Sequence, residues 1–169
     1  MGPSLHAFCE WLGNTPLSLL IQNVAWIIPT VQTIHILSIA VVASSAAIVD
    51  LRLLGVIGRG HATADYETRF LPWIWWTLIV LLCSGTILII GEPARSLENL
   101  AFQAKMCLLL LAMLTTYLIQ RPIRRDGAYW ELTPGHVARG RVLAVASILF
   151  WVCIIFCGRW IAYMNTAGN

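Results

Sequence analysis

The chain has 169 residues, 59% of them hydrophobic and 11% charged, with a mean hydropathy of +0.77. Soluble domains carry about 25% charged residues, and a chain this short has too little interior to hide the apolar excess from water. The net charge of +3 is no nucleic-acid signal, because the basic residues are polarised between the connections that separate the apolar runs. These limits leave one class, an all-α polytopic membrane protein in which residues 1–169 form a single domain.

The residues from Trp11 to Val49 carry no formal charge, and at roughly 20 residues per crossing this stretch is too long for one span. Asn14-Thr15-Pro16 reads as a cap followed by proline in the first helical turn, and Pro29 repeats that start signal. An interfacial segment over residues 4–27, with a short helix around Pro16 to Trp26, is therefore expected before the first spanning helix over 29–57. The second span is the charge-free run Leu71 to Ile90, the third covers 100–120 with Lys105 near its start, and the fourth covers 140–163 with Arg159 near its end. Short connections predict an up-down bundle of sequential, antiparallel neighbours. Eight Trp and four Tyr suit the headgroup region at either surface. Small residues at four-residue spacing on the first span (Ala40/Ser44, Ala43/Ala47) suit close helix packing in lipid.

Basic residues set the expected orientation. Arg52, Arg59 and Arg69 flank the first connection, and Arg121, Arg124, Arg125, Arg139 and Arg141 the third, while the opposite side holds Arg95, Lys105 and Arg159. Eight against three places the first and third connections in the cytoplasm and both termini outside. The first ten residues lack the basic stretch of a cleavable signal, so insertion through the chain's own helices is expected.

Counting from the cytoplasmic arginines turns residue offsets into depths. His35 lies 17 residues from Arg52, Cys83 14 from Arg69, and Cys107, Met106 and Lys105 lie 14, 15 and 16 from Arg121. Cys153, Cys157 and Arg159 lie 12, 16 and 18 from Arg141. All fall in one slab of the outer half, about 9 Å deep at the helical rise.

Ionisable groups at such depth are costly and are functional candidates. Imidazole, thioether and thiolate suit copper, zinc or haem iron. His35 with Lys105, Arg159 and Met106 is thus a candidate cofactor site, and His35 with Cys107 and Cys157 a candidate metal set. The plainer alternatives stand beside these. Cysteines pack as small apolar residues, Lys105 and Arg159 can snorkel, and His35 can be a core histidine bonded to Gln32, Ser38 or Thr86.

A haem held by two facing histidines is not available within one chain, since His6, His61 and His136 lie outside the spans. A haem would need His35 with Met106, a cysteine, an open position or a second protomer's His35. His61 and His136 could share an inner metal or simply be solvated, and His6, Cys9 and Glu10 could hold a metal or form an ordinary interfacial turn. Asp50 and Arg52 are expected to pair at the cytoplasmic boundary and fix helix depth. Five cysteines without a CxxC pair assign no disulfide, and no hydrolase spacing is present.

The chain resembles a family of small bacterial four-helix membrane proteins of unknown function. The resemblance is carried by Trp26-x-x-Pro29 followed by His35, by DLRLLG from Asp50 to Gly55, by Phe102-x-x-Lys105 and by GRWIAY from Gly158 to Tyr163. The layout is also similar to the membrane half of copper-resistance proteins and to small membrane cytochromes, an analogy of fold. It implies a bacterial inner-membrane location and marks His35, Asp50, Arg52, Lys105 and Arg159 as the residues to test. Three functions are compatible: electron transfer through haem b or copper, soft-metal transfer, and an accessory subunit. Expected partners are the bilayer, a periplasmic redox or metal-carrying protein and a second copy of the chain, with no nucleic acid.

Overall fold

A computed structural model describes residues 3–58 and 63–164; Arg59 and His61 lie outside the described residues. In chain order the helices are α1 (Pro3–Gly13), α2 (Pro16–Asn23), α3 (Ile27–Leu53), α4 (Thr63–Gly91), α5 (Pro93–Leu97), α6 (Leu100–Ile123) and α7 (Pro134–Met164), with a 3-10 turn at Tyr129–Glu131 before α7. Four of them, α3, α4, α6 and α7, are long and apolar enough to cross a membrane.

Side-chain size is sorted the opposite way from a soluble bundle. Leu37, Leu82, Leu110 and Phe156 are all more than 60% exposed on the outside, while Val42, Ala112, Ala144 and Ser147 are fully buried inside. Without a hydrophobic drive between helices in lipid, small interior residues gain association energy by letting backbones approach. The fold is a four-helix membrane bundle. Its main pairings are α3 with α4, α6 with α7, and α3 with α7. The buried share of each span falls from 33% in α3 to 17% in α6, so α3 is central and α6 peripheral. Sequential neighbours pack as expected except at α4 and α6, which are not among these pairs. α5 links them in the chain, and the short N-terminal helices pack at that end, α1 on α5 and α2 on α4.

Local chemistry sets the element ends. Thr15 caps α2 by accepting from the Ser18 amide at 3.3 Å, with Pro16 in the first turn. The chain turns extended at Val24 and resumes as α3 at Ile27, which puts Pro29 in a first turn that needs no amide hydrogen. α2 is fastened to the end of α4: the buried Ser18 hydroxyl donates to the Ile90 carbonyl at 2.6 Å. A methyl at Gly91 would come within 2.9 Å of Ile21.

DLRLLG is a helix stop. Gly55 takes φ +75, its amide donates to the Arg52 carbonyl, and the Val56 amide donates to that of Leu51, the double bond of a Schellman end. Thr133 opens α7 by accepting from the His136 amide, with Pro134 behind it.

Candidate functional site

The expected pair of Asp50 and Arg52 does not form. Two residues apart on a helix, they point about 200° from one another. Asp50 turns into the bundle and is 2% exposed, while Arg52 reaches outward to Glu131 at 2.8 Å. Glu131 also accepts from the Thr63 amide and hydroxyl, joining α3, α4 and the 3-10 turn. Beside it the Trp130 indole is buried and donates to the Ile119 carbonyl at 3.1 Å. Gly140 admits the ring, since an added Cβ there would lie 3.0 Å from it. His136 stacks on Tyr129 with centroids 4.2 Å apart, and its Nδ1 lies 3.1 Å from the Tyr129 carbonyl. This end is a structural knot, and His136 belongs to it.

At the opposite end all four spanning helices contribute to one niche. His35 on α3 faces α4, where its Nδ1 is 2.8 Å from the Ser84 hydroxyl. When that hydroxyl gives its hydrogen to the Val80 carbonyl, 2.7 Å away, it accepts from His35 and Nδ1 carries the ring hydrogen. Nε2 is then the nitrogen with the lone pair, and it has no hydrogen-bond partner among the described residues. Metal-ligating histidines are commonly held this way, one ring N–H fixed by a neighbour and the other nitrogen free. Gly85, next to Ser84, leaves room beside the ring: a Cβ there would stand 3.5 Å from the His35 Cε1.

Lys105 enters from α6. Its Nζ lies 3.8 Å from the Cβ position of Gly158 on α7, and its charge reaches both Cys157 and His35. No hydrogen bond or ion pair holds the ammonium among the described residues. Arg159 stands exposed two residues beyond Cys157. Met106, Cys107, Cys83 and Cys153 are exposed on the outward faces of their helices. The fold therefore brings together His35, Lys105 and Cys157 and turns Met106 and Cys107 away. No group of three or more His, Cys, Asp or Glu side chains with metal-site geometry occurs among the described residues. Of the partners expected for His35, Ser38 and Thr86 bond instead to carbonyls of their own helices, Ile34 and Leu82.

Above this niche, α1, α2, α5 and the end of α4 enclose a vestibule of about 550 Å³ lined by His6, Glu10, Glu92, Arg95 and Glu98. Two of its polar contacts are local, His6 Nδ1 lying 3.7 Å from Glu10 and Arg95 pairing with Glu92 at 2.8 Å. Cys9 lies at its base, 2% exposed. Burial, and then the Glu98 carboxylate, push its thiol above the usual range, which keeps it protonated and unreactive.

Fold and niche together define a small polytopic membrane protein with one imidazole and one ammonium facing the bundle interior near one surface. The chain belongs to the family of unknown function DUF6644, whose model matches residues 8–164. No curated protein and no solved structure matches it.

Proposed function

We propose that the protein is an electron-transfer component of the bacterial inner membrane, binding haem iron through His35 Nε2. The observation that carries this reading is the placement of His35, whose Nδ1 rests 2.8 Å from the Ser84 hydroxyl while Nε2 has no hydrogen-bond partner among the described residues; with Nδ1 protonated, Nε2 offers its lone pair to iron. A porphyrin brings four nitrogen donors of its own, so a single protein imidazole suffices, whereas a copper site would need several soft donors, of which Cys157 stands at the niche while Met106 and Cys107 are held on outward faces. Lys105 supplies a cation within electrostatic reach of His35, suited to a propionate, with Arg159 near the mouth of the niche. α6 has no fully buried residue before Ala112, so the α6 side of the niche is the less buried half of that helix. The vestibule is where a soluble redox partner would approach.

The test is the visible spectrum and the iron and copper content of protein grown with both metals and haem supplied. Wild type is expected to be coloured and to hold about one iron per chain, and His35→Ala to lose both while still folding. A colourless, metal-free wild type would leave the accessory-subunit reading. The proposed orientation, with both termini outside, follows from the placement of Arg52, Arg69, Arg121, Arg124, Arg125, Arg139 and Arg141 at one end of the spans. An impermeant thiol reagent applied to intact cells should then label cysteine tags at either terminus. Labelling of a cysteine placed between Arg125 and Thr133 instead would invert the topology.

A further inference from the structure

The knot end contains three polar side chains that neither the niche nor the knot uses. Asp50 on α3, Gln120 on α6 and Ser147 on α7 are 2%, 3% and 1% exposed. They line a small cavity of about 10 Å³ whose remaining wall is largely apolar. The Ser147 hydroxyl lies against the Asp50 carboxyl. The Asp50 Oδ2 and the Gln120 Nε2 are left without a hydrogen-bond partner. Thr116, the other polar residue on the wall, has its hydroxyl hydrogen committed to the Ala112 carbonyl at 2.9 Å.

One unsatisfied acceptor and one unsatisfied donor thus face a void of about one probe sphere, the smallest space that holds a water. Buried polar groups in membrane bundles are satisfied internally, because lipid offers them nothing. We propose that this cavity binds a single water molecule, which accepts from Gln120 Nε2 and donates to Asp50 Oδ2. The Thr116 and Ser147 oxygens are available as acceptors for its second hydrogen, giving it the number of partners usual for a buried water. The volume excludes any larger guest, and the Asp50 carboxyl excludes an anion. A small cation would require an all-oxygen shell, with the Gln120 amide turned so that its oxygen faces the void.

The water has a structural consequence. α3 and α6 are not among the most closely packed helix pairs, so a water held between Asp50 and Gln120 is a diagonal brace across the bundle. It joins the central helix to the peripheral one.

The test is a pair of crystal structures grown from lipid, one in sodium and one in rubidium, at a resolution that shows ordered waters. The expected result is one oxygen-sized peak within hydrogen-bond distance of both groups in both salts, with no anomalous signal in rubidium. An anomalous peak at the rubidium edge, or a sodium-only peak ringed by oxygens with the Gln120 amide reversed, would overturn the proposal in favour of a cation. Direct contact between Asp50 and Gln120 with no peak would overturn it as well. Because the protein used is the wild type, a folding defect cannot mimic either outcome.

Discussion

The two ends of the bundle treat polar groups in opposite ways. At the Trp130 end the knot spends its polar groups on holding elements together, with Asp50 and Gln120 buried beneath it: Glu131 gathers Arg52 and Thr63, and the Trp130 indole closes on α6. At the His35 end the polar groups are positioned but not consumed, with a free nitrogen on His35 and an ammonium on Lys105 without hydrogen bond or ion pair among the described residues. α6 shows the same division along its own length, since its buried residues are Ala112, Thr115, Ile119, Gln120 and Ile123 and none lies nearer Lys105. One end supplies stability, and that stability lets the other end keep reactive groups in hand.

The comparison breaks most visibly at Trp130. Trp130→Ala removes a buried ring and its hydrogen bond to the Ile119 carbonyl, an expected loss of about 3–5 kcal/mol. Thermal unfolding in mild detergent would show it as a large drop in midpoint. Phe156→Ala, at an exposed aromatic of the other end, should leave the midpoint nearly unchanged in the same assay. Equal losses would mean that the two ends are not divided in this way.

A smaller effect sharpens the comparison at the niche. Ser84→Ala removes the hydroxyl that fixes His35, at an expected stability cost of about 0.6 kcal/mol, the average for a hydrogen bond between membrane helices. Cofactor affinity, measured by haem titration of the apoprotein, should fall by about 10–100-fold, as when the partner of a metal-bound histidine is lost. A variant that binds haem as tightly as wild type would show that Ser84 does not orient the ligand.

How much of this was legible in the sequence depended on the coordinate in question. Depth was readable: long apolar runs located the spans, and offsets from the arginines placed His35, Lys105 and Cys157 at one level, where the fold brings them together. Azimuth was not. Lys105, Met106 and Cys107 share a level but are turned about 100° apart per residue, so only the first faces inward. Helices that are apolar all round give no polar face from which to set that phase. For the same reason the sequence offered Thr86 among the partners of His35 and passed over Ser84, which packing against α3 selects. Asp50 beside Arg52 suggested a surface pair because sequence adjacency hides a 200° turn. Gln120 and Ser147 gave no warning at all, since each is an ordinary polar residue until the fold closes a cavity around it. The spans themselves run further than their apolar cores, α4 beginning at Thr63 and α7 at Pro134, because a helix does not stop where the lipid does.

The central claim is that His35 is held as a ligand, with Nδ1 protonated and Nε2 open. Nitrogen NMR of protein labelled at histidine, in lipid and free of added cofactor, reads this directly. The account predicts that His35 shows a protonated Nδ1 and a lone pair on Nε2, and that adding haem shifts or broadens the Nε2 signal while Nδ1–H persists. A His35 that carries its hydrogen on Nε2 and is indifferent to haem would contradict it.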